Sequence, residues 1–329
     1  MPNDPHAPGQ ESGHAFSWRS FVDSVAAERG SIAQAAAWLA ERRGFAEDIE
    51  SVERGLRRLR DRGGRDGGVW GQRALRCFGL PRGVTDRIRW MGQYHSRFTD
   101  LPASVAEELL RPWDRPPVSE SPARIWLLLA RTGLCLRRRE DPAPLLQQAA
   151  RIDEQAEAAA RIELALVQSY AFAPADPVAA RQALDRAGEL IRATPSTLAA
   201  DDYACLFARF IDQRAYLLNK PTGGPPDHHA ALELYLQIPE DGPAFARCRR
   251  ENGLGHTRLR LGQRDAALAH AQASVQASGD SGSLRMRAMA LKLLANASEG
   301  DTATLALDRA RRIAEMLEDE ALATRFRPR

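Results

Sequence analysis

Residues 247–279, RCRRENGLGHTRLRLGQRDAALAHAQASVQASG, decide the fold. They read as two helices, 243–262 and 264–278, broken at Gly262, where glycine permits a left-handed exit from the first. Leu254-Gly255 in the first helix and Ala267 and Ala271 in the second put small side chains where the two would touch, so the backbones can approach as a hairpin. The same pairing extends in both directions. Downstream, 283–298 pairs with 302–318. Upstream, 199–219 pairs with 228–238, 156–172 with 177–193, and 122–139 with 142–155. No segment alternates as a strand does, so the expected class is all-α, with hairpins at the spacing of a repeat protein.

These residues resemble the tetratricopeptide repeat. The Gly255-to-Ala267 spacing is the family's, while Glu251 stands at its Trp position, Arg258 at its Tyr, Ala271 at its Phe and Gly279 at its Pro, which makes the repeat degenerate. A second match runs from Leu166 through Tyr170 to Ala183, Ala187 and Pro195, with four extra residues in the loop 173–177. Tyr216 before Ala231 and Tyr235, and Gly300 before Ala306 and Ala310, extend the pattern by analogy. The resemblance implies a right-handed α-solenoid of about five hairpins over 122–320, with a concave surface lined by the first helix of each pair. In the family register the inward positions are Arg161, Gln168, Arg214, Arg249, Asn252 and His256, a polar groove leaning basic that suits an acidic or extended peptide.

The first part of the chain differs in composition. All six tryptophans fall within the first 126 residues, and residues 1–140 carry a net charge of +5 against −2 for the rest. A boundary is expected at the Pro-rich linker 116–121, dividing a helical N-terminal domain of 15–115 from the repeats. Residues 1–14 have the composition of a disordered segment, and 321–329 is expected as a flexible tail. Helices are predicted at 18–29, 32–43, 48–62, 70–78, 84–95 and 103–111. The second and third could form a helix-turn-helix presenting Arg54, Arg57 and Arg58 to DNA, within a window, 54–99, of net charge +9 that also holds Trp70, Trp90, Tyr94 and Phe98. Such a domain joined to repeats resembles peptide-sensing bacterial regulators. Against it, Glu50, Glu53 and Asp61 sit four residues from these arginines, at the spacing of intrahelical ion pairs.

The remaining chemistry is sparse. Cys77, Cys135, Cys205 and Cys248 lie too far apart for zinc frameworks or a disulfide scaffold. The longest apolar run, 125–130, is too short to span a bilayer, and no secretory leader opens the chain, so a cytoplasmic location is expected. The seven histidines lack helical metal spacing, and neither a phosphate loop nor a nucleophile motif is present. The expectation is a chain with no enzymatic activity, cofactor or metal. Two readings stand: an adaptor that holds a protein or peptide segment in the groove, and a regulator whose N-terminal domain binds DNA through 54–99 while the repeats sense a peptide or dimerise.

Overall fold

The computed structural model describes residues 16–42, 47–63, 65–194, 196–220 and 225–327. Seventeen α-helices and no strand are found among them. The chain divides into two units, one comprising 1–88 and 108–124, the other 89–107 and 125–329. The expected disordered segment 1–14, Pro195 of the second repeat match, Gly64 and residues 43–46 between the two helices of the expected helix-turn-helix lie outside the described residues.

In the smaller unit α1 (Trp18–Arg29), α2 (Ile32–Ala40) and α3 (Ile49–Arg60) pack on one another. Each starts at a residue whose side chain accepts a backbone N–H of the first turn: Ser17, Ser31 and Asp48. The apolar stripe of α3 behaves as its periodicity requires, with Val52, Leu56 and Leu59 fully buried beside Phe21, Ala36 and Leu39. Ile49, read into that stripe, is half-exposed at the helix start. After α3 comes α4 (Gly68–Phe78). Trp18 is wholly buried, donates its indole N–H to the Arg65 carbonyl at 3.0 Å and packs on Gly67 and Gly71.

Residues 116–121 are not a free linker. Val118 is buried, and Glu120 Oε1 accepts the Gly67 N–H at 2.9 Å, so this segment is tied into the smaller unit. The chain passes to the larger unit within α5 (Arg82–Gly92) and back within α6 (Ala103–Leu110). The expected boundary therefore misses 89–107, which belongs with the downstream helices.

The larger unit continues with α7 (Arg124–Arg138), α8 (Ala143–Ile152), α9 (Ala158–Phe172), α10 (Pro177–Ala193), α11 (Ala200–Leu218), α12 (His228–Leu236), α13 (Ala244–Arg260), α14 (Arg264–Ser281), α15 (Leu284–Ala297), α16 (Gly300–Met316) and α17 (Glu320–Arg325). Neighbouring helices pack in pairs, α9 with α10, α11 with α12, α13 with α14 and α15 with α16. The expected pair of α7 and α8 is not closed in this way, since α8 packs chiefly on α9. In the α13–α14 pair Ala267 and Ala271 are fully buried and Gly262 follows α13 with φ +73°, while a Cβ on Gly255 would stand 3.3 Å from His270 Cβ of α14 but only 2.6 Å from Leu293 Cδ2 of α15. The odd-numbered helices α9, α11, α13 and α15 also touch in succession, forming one layer. Of the segment 321–329, expected as a tail, 328–329 lie outside the described residues, 321–325 belong to α17, and Leu322 and Phe326 are buried against α15 and α16. Their apolar area holds the segment down by about 1.5–3 kcal/mol for each large side chain.

Candidate functional site

The layer of odd-numbered helices faces a cavity of about 330 Å³ that lies wholly within the larger unit. Each helix contributes residues three, four or seven apart: Glu163, Val167 and Tyr170 from α9; Arg209, Asp212, Gln213 and Tyr216 from α11; Arg249, Asn252, His256 and Arg260 from α13; Arg285 and Met289 from α15. α7 supplies Leu129, Leu134 and Arg137, and α17 supplies Leu322 and Arg325. Tyr235 of α12, Asn219 and the segment from Met91 to Thr99 complete much of the rest of the lining.

That segment is firmly fixed. Asp202 of α11 accepts from Arg89 at 2.5 Å and from Gln93 at 3.1 Å, and lies 3.0 Å from His95 Nε2. The bond with His95, offset in part by burial, holds the Asp202 carboxyl below its usual range. Asp100 accepts the Arg285 backbone N–H at 3.1 Å at the start of α15, and Arg137 donates to the Leu101 carbonyl at 2.8 Å. Gly92 lies so close to α7 that a Cβ would be 2.3 Å from the Trp126 carbonyl oxygen.

Tyr94 is thereby placed among three guanidiniums. Arg209 lies 4.3 Å from its ring centroid, Arg249 5.3 Å and Arg285 5.5 Å. Burial opposes ionisation of the phenol, but the charges of Arg285, Arg249 and Arg209 outweigh it and bring the pKa down to about 8. Two ion pairs brace the cage. Glu163, 1% exposed, pairs with Arg209, and Asp212 pairs with Arg249 while accepting from the Tyr235 hydroxyl at 3.1 Å. Burial, followed by the Asp212 charge, pushes the Tyr235 phenol well up. His256 is pushed down to about 4 by burial and then by Arg260, so its ring is neutral at neutral pH.

Six arginines line the cavity with Glu163 and Asp212, and the buried Asp319 just behind the lining lies 3.4 Å from Arg285 and 3.9 Å from Arg137. Arg260 donates to the Asn219 carbonyl and Arg325 to the Tyr170 hydroxyl at 2.6 Å, and neither has an acidic partner among the described residues. Asn252 Nδ2 and Arg249 Nε are buried with no hydrogen-bond partner among the described residues, and so are two acceptors of the same lining, Glu163 Oε2 and Gln213 Oε1. The lining thus combines charged side chains, most of them cationic, with apolar ones, among them Met91, Leu129, Leu134 and Val167.

Of the six groove positions expected from sequence, Arg249, Asn252 and His256 come together here on α13. The others do not: Arg161 lies 3.9 Å from Asp153, Gln168 lines no part of the cavity, and Arg214 is exposed with its guanidinium over the Phe210 ring. Arg209, Arg285, Arg260, Arg137 and Tyr94 were missed. A signal for Arg209 existed in the helical spacing of Arg209, Asp212, Gln213 and Tyr216, whereas nothing local marks Tyr94.

In the smaller unit Arg54, Arg57 and Arg58 are all exposed on α3. Arg57 pairs with Glu53 at 2.6 Å, as the spacing predicted, and Arg54 donates to Ser51 Oγ at 3.1 Å instead of pairing with Glu50. The window 54–99 does not form one basic face. Arg89 pairs with Asp202 and Arg97 with Asp100, while Tyr94 and Phe98 line the cavity of the other unit. Elsewhere, burial pushes the Cys248 thiol up to about 11 and the Cys205 thiol up to about 12, which leaves both protonated and unreactive. No three His, Cys, Asp or Glu residues gather as metal ligands among the described residues, nor is any helix long and apolar enough to cross a membrane. Compared with known proteins, the chain matches no family model, no curated protein and no solved structure.

Proposed function

We propose that the protein is a non-enzymatic interaction module whose larger unit is a right-handed, tetratricopeptide-like solenoid of about five hairpins that docks an acidic protein or peptide segment on its inner layer. The observation that carries this reading is the convergence of polar side chains from α9, α11, α13 and α15 on one cavity with six arginines and two carboxylates. Charge of one sign within low-dielectric walls attracts a ligand of the opposite sign and orients it. The reading includes a cytoplasmic location, where four thiols remain reduced. Its test is fluorescence anisotropy of a labelled acidic peptide with the whole chain and with two variants. Arg260→Glu, which reverses a cavity charge, weakens binding at least tenfold, whereas Arg214→Glu, outside the cavity, leaves it unchanged. Equal effects of the two substitutions would sink the reading.

A second reading has its own observation. α1, α2 and α3 pack as a three-helix group, and Arg54 and Arg58 on the outer face of α3 are in no ion pair among the described residues. That arrangement suits a helix placed in a DNA groove and would make the protein a regulator with the larger unit as its sensor or dimerisation domain. Duplex DNA binding by the whole chain should then fall steeply with salt and be lost in the double variant Arg54→Ala/Arg58→Ala. Salt-independent binding, or none, removes this alternative.

A further inference from the structure

The charges around Tyr94 do not balance. Arg209 has Glu163 and Arg249 has Asp212, but Asp319 is shared by Arg285 at 3.4 Å and Arg137 at 3.9 Å. The nearby Asp100 is paired with Arg97 at 3.1 Å. Among the described residues the surplus positive charge therefore lies with Arg285 and Arg137. Burial, and next the like charge of Arg285, brings the Arg137 pKa down to about 10, as expected of two cations held beside one carboxylate.

The Tyr94 hydroxyl is turned toward that surplus. Of the three guanidiniums around the ring, Arg285 is the farthest from its centroid, yet after burial its charge acts most strongly on the phenol, so the oxygen end of the ring points to Arg285. The hydroxyl and the two terminal nitrogens of Arg285 make no hydrogen bond among the described residues, and unlike Arg285 Nε they are not shut off from the surrounding space. The Arg285 side chain is 16% exposed, and both residues line the cavity. An open O–H donor beside an open guanidinium edge, with one positive charge in excess, matches an oxyanion of single charge.

From there the space continues along α7. Leu129, Gly133 and Arg137 are spaced four residues apart on one face, all three line the cavity, and a Cβ placed on Gly133 meets nothing within 4 Å. The distance along the helix from Arg137 to Leu129 is about 12 Å. Met91, Leu134 and Val167 add apolar lining.

We propose that the cavity binds a free aliphatic acid of medium chain length, about eight carbons from that distance, with its carboxylate between the Tyr94 hydroxyl and Arg285 and its chain along α7 over Gly133. The volume of about 330 Å³ is at the lower end of the range that holds small molecules. The proposal rests on the reading of the inner layer as a binding surface and goes beyond it in the ligand. The segment from Met91 to Thr99 is part of the lining and is held through Gln93 at Asp202 and, just beyond it, through Leu101 at Arg137. A small acid enters without displacing it.

The test is calorimetric titration of the whole chain at neutral pH with octanoate, 1-octanol, acetate and an acidic peptide capped at both termini. Octanoate should bind at least tenfold more tightly than octanol, which lacks the charge, and than acetate, which lacks the chain. Gly133→Phe puts a ring into the open space and should weaken octanoate at least tenfold without lowering the melting temperature. Tyr94→Phe keeps the ring and removes the hydroxyl. It should weaken octanoate at least threefold and leave octanol unchanged, a split that loss of packing would not produce.

Selective binding of octanoate that is lost in Gly133→Phe supports the proposal. If the peptide then fails to bind, the peptide reading above falls while this one stands, and if octanoate displaces a bound peptide both stand. Equal binding of octanoate and octanol overturns the proposal, as does octanoate binding that Gly133→Phe leaves undiminished. A peptide that binds where octanoate does not overturns it too and leaves the groove reading intact. Failure of octanoate and peptide alike overturns both.

Discussion

Replacing Tyr94 with Phe removes one hydroxyl from a buried ring and with it the titration of a phenol held among three guanidiniums. In the folded protein burial raises the phenol pKa, yet Arg285, Arg249 and Arg209 bring it to about 8, two units below its ordinary value. Two units correspond to about 2.7 kcal/mol of differential stabilisation of the phenolate. Between about pH 8 and pH 10 the unfolded chain keeps this proton and the folded chain has released it, so the contribution to stability grows with pH across that window, is complete above it and is absent below it. Cysteines act oppositely, because folding raises Cys248 to about 11 and Cys205 to about 12 while unfolded thiols ionise earlier. The quantity to measure is therefore the difference in urea stability between the wild type and Tyr94→Phe. It should widen by about 2–3 kcal/mol from about pH 8 to about pH 10. Absorbance gives a direct companion: one of five tyrosines should ionise near pH 8 in the wild type, and that step should vanish in the variant. Parallel stability curves, or a step that survives in Tyr94→Phe, would refute the guanidinium cage.

Further outcomes follow from neighbouring contacts. Glu163→Leu leaves the buried Arg209 guanidinium without its carboxylate and should cost about 3–5 kcal/mol of stability, most of it recovered in Glu163→Leu/Arg209→Met; a double variant no better than the single one in urea unfolding contradicts this. Gly92→Ala drives a Cβ to 2.3 Å from the Trp126 carbonyl oxygen, a backbone atom that cannot swing aside, whereas Gly83 on the same helix has nothing within 4 Å. The first substitution should lower the melting temperature through about 1–3 kcal/mol of strain, and Gly83→Ala should not. For His256, burial and then Arg260 depress the pKa to about 4, so the unfolded chain gains the proton first as pH falls. Stability should drop by up to about 3 kcal/mol between about pH 6.5 and pH 4, less in proportion to the water that reaches the ring. His256→Gln should flatten that slope in acid unfolding, and an unchanged slope would place the titration elsewhere.

How far the sequence could be read depends on where its information is local. Helix positions come from periodicity and from breaks, both confined to a turn or two, and the pairs from α9 to α16 appear at nearly their predicted places. Facing is more demanding, because one residue of register error turns a side chain through about 100°. α13 carries the motif that anchors register, Leu254-Gly255 followed by Ala267, and there Arg249, Asn252 and His256 were placed on the cavity side. On α9 and α11, whose matches need inserted residues, the register slipped. Arg161 and Gln168 were named where Glu163 and Val167 face the cavity, and Arg214 where Arg209 and Gln213 do. Buried pairs offer a better guide than a repeat consensus on such helices: Glu163 and Arg209, in successive members of the inner layer, satisfy one another only if both point inward.

Charge is the property for which sequence windows mislead most, because a window groups residues along the chain while an electrostatic field adds them in space. The stretch 54–99 is dense in arginine, yet it divides between two units and its last part is neutralised by Asp202 and Asp100, the first of these more than a hundred positions downstream of Arg89. The cavity shows the converse. Arg137, Arg209, Arg249, Arg260, Arg285 and Arg325 come from five helices spread over most of the larger unit, and no window holds more than a few of them. They become a field only because α11, α13 and α15 lie side by side and because the Met91-to-Thr99 segment closes the space before them. Tyr94 belongs to that closure: a single aromatic residue in a short connection, with no periodicity to mark it, whose three cationic neighbours lie between 115 and 191 positions away. The site is thus a property of the packed layer, and its ligand chemistry is decided by which arginines remain without a carboxylate once Glu163, Asp212 and Asp319 have taken theirs.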